Sequence, residues 1–75
     1  MNLFRSKAEK ELDSIFAELK ANLENNYKDA AHDARKKLGA RCEELYAEGS
    51  LKEKPYLRYK KLFEEYTVMM KDYHH

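Results

Sequence analysis

Apolar residues recur along the first two thirds of the chain at steps of three and four: Leu12, Phe16, Leu19, Leu23, Tyr27, Ala30, Ala34, Leu38, Cys42 and Leu45. That spacing lays one continuous stripe along an α-helix. Leu12, Leu23, Ala34 and Leu45 are each eleven apart, as are Phe16, Tyr27 and Leu38. An eleven-residue repeat runs at about 3.67 residues per turn, which gives a nearly straight or slightly right-handed seam.

The punctuation predicts where helices begin and end. Ser6 followed by Glu9 has capping-box spacing, and Leu3 and Phe4 just before it are placed to fold back on the first turn. Gly49-Ser50 is a stop, because glycine supplies the left-handed residue after a helix end. Ser50 and Glu53 repeat the capping-box spacing, and Pro55 falls where a missing N–H costs least. Beyond it Tyr56, Tyr59, Phe63, Tyr66, Met70 and Tyr73 alternate steps of three and four, a heptad seam flanked by Leu62 and Met69.

Folding the chain back at 49–50 sets these two seams against each other. Leu45 then meets Tyr56, Cys42 meets Tyr59, Leu38 meets Leu62 and Phe63, Ala34 meets Tyr66, and Ala30 and Ala31 meet Met70. Small residues on one helix face large rings on the other, so the core fills without voids. The expected fold is all-α: an antiparallel hairpin with a long first helix over about 6–48 and a second over about 51–73. In that form Leu12, Ile15, Phe16, Leu19 and Leu23 project past the hairpin as a bare stripe, and the chain dimerises to cover it. The alternative is a monomeric three-helix bundle with a turn near 24–26, where Asn25 and Asn26 give a weak turn signal.

Composition narrows the function. Seventy-five residues make one small domain, too short to wrap a deep pocket and keep a core. Fifteen Lys and Arg balance fourteen Asp and Glu, spread evenly along the chain, so the basic excess of a dedicated nucleic-acid binder is missing. Val68-Met69-Met70 is the longest strictly apolar run, far short of a membrane span. The first residues lack the apolar stretch of a secretory signal, and a lone Cys42 forms no internal disulfide. The expected setting is cytoplasmic.

Candidate chemistry is sparse. Asp29, His32 and Asp33 share a helix face, but nothing completes a metal site, and they read as a solvated face. Cys42 falls on the seam and reads as a packed, inert thiol. His74 and His75 receive no function. Five of the six tyrosines lie on the seams, while Tyr46, Leu57 and Val68 lie off them and resemble interface anchors. Arg35, Lys36, Lys37, Arg41, Arg58 and Lys61 form a candidate basic patch, offset by Glu43, Glu44, Glu64 and Glu65.

The expected function is a small protein–protein interaction module of the adaptor, regulator or inhibitor type. It would act through an apolar helix face made from Leu12, Ile15, Phe16, Leu19 and Leu23, with Tyr46 and Leu57 as further anchors. The partner is a second copy or another protein, with no cofactor, metal, membrane or small-molecule substrate. The alternative is a nucleic-acid-associated accessory protein using the basic patch. No acid–base pair converges on a cleft, so catalysis is not expected.

Overall fold

A computed structural model of the chain describes residues 6–73. Every regular element among them is helical: α1 spans Lys7–Glu24, α2 spans Lys28–Ala47 and α3 spans Glu53–Met69. Leu3, Phe4, His74 and His75 lie outside the described residues.

The first helix starts as its capping box predicts. Glu9 N donates to Ser6 Oγ at 3.1 Å, and Ser6 N donates to Glu9 Oε1 at 3.4 Å. It does not run on to residue 48. Asn26 adopts φ 59°, the left-handed conformation, and ends the helix. Tyr27 N then donates to Asn22 O at 2.9 Å and Asn26 N to Leu23 O at 3.1 Å, the paired bonds of a Schellman stop. Asparagine reaches this conformation at less cost than most residues, which is why a turn without Gly or Pro can form here. The long first helix of the hairpin is therefore two helices, and three helices fit the alternative architecture.

The second turn repeats the same device. Gly49 sits at φ 84°, Ser50 N donates to Leu45 O at 2.9 Å, and Gly49 N donates to Tyr46 O at 3.1 Å. Leu51 tucks into the core immediately afterwards. The third helix begins later than its expected cap. Lys52 is the N-cap residue and makes no side-chain cap bond, so Ser50 and Glu53 do not form a capping box. Pro55 lies in the first turn, and the helix ends at Met69, short of residue 73.

The core is one cluster drawn from all three helices. Leu12, Ile15 and Leu19 come from α1, Ala31, Ala34, Leu38, Cys42 and Leu45 from α2, and Tyr56 and Tyr59 from α3, with Met70 closing one end. Burying a leucine such as Leu12 or Leu19, both fully inaccessible, stabilises the fold by about 1.5–3 kcal/mol. α2 is the central element, packed along both α1 and α3. Contact between α1 and α3 is sparser and is made by rings: Phe16 meets Tyr66 edge-on at 5.2 Å.

Across α2 and α3 the contacts run in the antiparallel order read from the seams. Tyr46 stacks on Tyr56 at 3.9 Å, Cys42 Sγ lies 3.8 Å from Tyr56 O, and Arg35 Nη1 donates to Thr67 Oγ1 at 3.2 Å. His32 Nε2 donates to Tyr73 O. Between them the Phe63 ring rests directly on the α2 backbone at Gly39, where a Cβ would come within 2.6 Å of Phe63 Cε1.

Candidate functional site

Four surfaces hold the residues singled out by sequence. The first is the apolar stripe of α1. With the chain turned at Asn26, Leu12, Ile15 and Leu19 are buried, and Phe16 and Leu23 are partly buried against the same cluster. Their exposure depended on an unbroken helix carrying them past the hairpin. In the three-helix form that face packs into the chain's own core.

The second is the groove between α2 and α3. It is a half-open cavity of about 380 Å³, lined by Lys36, Gly39, Ala40, Cys42, Glu43, Lys60 and Phe63. Two of its charged groups, Glu43 and Lys60, are engaged with Tyr56 and with each other. Tyr56 Oη donates to both carboxylate oxygens of Glu43, at 2.9 and 3.0 Å. Lys60 Nζ lies 3.1 Å from Tyr56 Oη and 3.5 Å from Glu43 Oε2. The Tyr56 hydroxyl holds the Lys60 ammonium protonated, with Glu43 adding to the effect. Burial pushes the Cys42 thiol up, assisted by the nearby Glu43 carboxylate, so it is a poor thiolate source. This cluster ties α2 to α3, and its thiol is set up for packing and not for attack.

The third is the basic set, which the fold distributes over separate faces. Arg35 and Lys36 lie on the side of α2 that faces α3, where the Arg35 guanidinium sits 5.8 Å from the Phe63 ring centroid. Arg41 faces α1, gripping Glu11 with Nε–Oε2 at 2.5 Å and Nη2–Oε1 at 3.0 Å, and also reaching Glu44 at 3.0 Å. The hydrogen bond from Arg41 holds the Glu11 carboxyl below its ordinary value, with Lys37 adding a smaller attraction. Arg58 reaches Glu9 on α1 at 3.3 Å and covers the Tyr59 ring. Lys61 is exposed on α3 and makes no ion pair among the described residues. Two of the six cations are thus neutralised by carboxylates, and the set does not form one continuous patch for phosphates.

The fourth surface is the outer face of α3. Leu57 is 55% exposed, Val68 74% and Met69 59%. Tyr46, read with Leu57 as an anchor, is 40% exposed and is stacked on Tyr56 at the groove, on a different face from Leu57. Tyr27 is also exposed, at the α1–α2 turn. The sequence had flagged Leu57 and Val68 as off-seam. It did not flag Gly39, whose signal was a glycine inside an otherwise strong helix, opposite an aromatic.

Asp29, His32 and Asp33 do not converge. His32 is drawn to the Tyr73 carbonyl, and no group of three or more metal-ligating side chains gathers among the described residues. No helix among them is long and apolar enough to cross a membrane. No protein-family model matches the chain, and no curated protein or solved structure is significantly similar to it.

Proposed function

We propose that the chain is a cytoplasmic protein–protein interaction module with no catalysis of its own, and that it acts through the outer face of α3. The observation that carries this reading is the exposure of Leu57 and Val68 on a helix whose inner seam is already filled. Isolated exposed apolar residues are ordinary. Here two branched side chains stand eleven residues apart on one face, with Lys61 and Glu64 between them. Exposed apolar side chains set among charges serve as anchors for a helix that docks on another protein. The groove is a poorer candidate, because Glu43 and Lys60 on its wall are already engaged with Tyr56 and with each other. The cytoplasmic setting rests on Cys42, a free buried thiol.

The test places a photoreactive phenylalanine analogue at Leu57, and separately at exposed Ser14 on α1, and irradiates cells expressing each chain. Protein adducts from position 57 and none from position 14 are the expected result. Equal labelling from both positions, or none from 57, would remove the reading.

A further inference from the structure

We propose that the occupant of this face is a second copy of the chain, docked antiparallel about a two-fold axis that crosses α3 between Lys61 and Glu64. The inference rests on the reading of the α3 outer face as a protein-binding surface, and it names the partner.

The argument is one of self-complementarity. Leu57, Lys61, Glu64 and Val68 follow steps of four, three and four along α3, so they stand in one narrow row on the helix. All four are exposed. Among the described residues Lys61 and Glu64 make no ion pair, so their charges remain available to a partner. The row reads apolar, positive, negative, apolar. A copy laid against it in the opposite direction puts Leu57 on Val68 of the second copy, at both ends. It also puts Lys61 on Glu64 of the second copy, twice. That is the isologous pattern a two-fold interface requires, with each contact made and returned.

The match is confined to the row: in the same register Glu53 falls opposite Asp72 and Lys54 opposite Lys71, but α3 ends at Met69, so Lys71 and Asp72 do not continue the helical face. In a parallel pairing Lys61 would face Lys61 and Glu64 would face Glu64, which is repulsive at both positions. The two Lys61–Glu64 pairs therefore select the antiparallel direction, while Leu57 and Val68 supply the apolar contact. A single helix pair with two apolar anchors per copy lies at the small end of specific interfaces. The association is accordingly weak and concentration-dependent.

Sedimentation equilibrium on the full chain, from micromolar up to about 1 mM, tests this. The mass is expected to rise from 9.0 kDa toward twice that value. Lys61→Glu and Glu64→Lys are each expected to hold the mass at the single-chain value, with unchanged circular dichroism. The double variant Lys61→Glu/Glu64→Lys should associate again, because every pair is exchanged and none is lost. Mixing the two single variants should give a heterodimer, because an all-acidic row then meets an all-basic one; the direction is read from the double variant, whose parallel pairing would stay repulsive. A wild-type chain that stays at 9.0 kDa throughout, or a double variant that fails to recover, overturns the proposal. Photo-crosslinking from position 57 separates this from the broader reading. Adducts to other proteins with no self-adduct overturn the second copy and leave the protein-binding face standing. No adduct of either kind removes both.

Discussion

The Tyr59 hydroxyl donates to Asp13 Oδ1 at 2.5 Å and lies 3.2 Å from Glu9 O, so a ring buried on α3 is fastened at its tip to α1. Contact between these two helices is sparse, and this bond is one of the few polar links across it. A hydrogen bond to a carboxylate contributes about 1.5–3 kcal/mol. Tyr59→Phe keeps the ring and removes the bond. Urea denaturation should show a loss in that range, and an unchanged midpoint would show that the link contributes nothing.

Asn26 holds the left-handed conformation that separates α1 from α2. Asn26→Ala should destabilise by about 1–2 kcal/mol, since alanine bears the full steric cost there and cannot accept from Tyr73. Asn26→Gly loses the same acceptor but relieves the backbone, so it should be clearly milder. Equal urea midpoints for the two variants would disprove the conformational explanation.

Gly39 tests the closeness of α2 and α3. In a free helix Gly→Ala gains about 1 kcal/mol. Here the new methyl would meet Phe63 at 2.6 Å, so Gly39→Ala should instead cost about 1–3 kcal/mol. Adding Phe63→Leu should return part of that loss. A double-mutant cycle with no coupling would mean the ring moves aside freely.

Leu19→Asp separates the three-helix form from a long hairpin. In the hairpin, Leu19 is bare and the substitution would dissolve a dimer while leaving helicity intact. With Leu19 buried in the chain's own core, the carboxylate should unfold the chain outright. Circular dichroism on the dilute protein distinguishes the two, since the hairpin would retain its helical signal. The milder Leu19→Ala should cost about 2–5 kcal/mol.

Acid should weaken the α1–α2 tie. The folded-state value of Glu11 lies below its ordinary 4.5, chiefly through the Arg41 hydrogen bond. Its contribution is therefore present above the ordinary value and lost as pH falls through the lower folded one. Tm measured from about pH 5 to pH 2 should fall less steeply in Glu11→Gln than in the parent. Identical slopes would place the acid sensitivity elsewhere, Glu9 being the next candidate because its carboxyl is also held low.

The helical content, the Ser6 start, the Gly49 stop and the α2–α3 pairing were all legible in residue spacing. The break at Asn26 was legible only as the alternative turn near 24–26, and the reason is specific. Tyr27 and Ala30 happen to continue the eleven-residue phase across the turn, so the pattern reads through it. In the fold Tyr27 is 61% exposed and Ala31, not Ala30, enters the core. Periodicity records which residues are apolar, not whether the backbone between them is continuous. For the same reason the α1 stripe reads as bare, since an unbroken helix strands it in solvent, whereas the fold buries Leu12, Ile15 and Leu19. Leu57 and Val68, which the seam left over, kept their exposure because α3 was phased correctly. The basic residues were close in number but diverge around two helices, and the partners of Arg41 and Arg58 sit on α1.

Tyr73 is held at three points. Its hydroxyl donates to Asn26 Oδ1 at 2.8 Å, its carbonyl receives His32 Nε2, and its ring lies 5.4 Å from Lys28 Nζ. The segment after α3 is thus latched onto the turn between α1 and α2, at the end of the molecule away from Gly49. Fraying of that segment and opening of that turn become a single event. The amides of Asn26 and Tyr27 should then exchange with solvent at the same rate as those of Lys71 and Tyr73, although more than forty residues separate them along the chain.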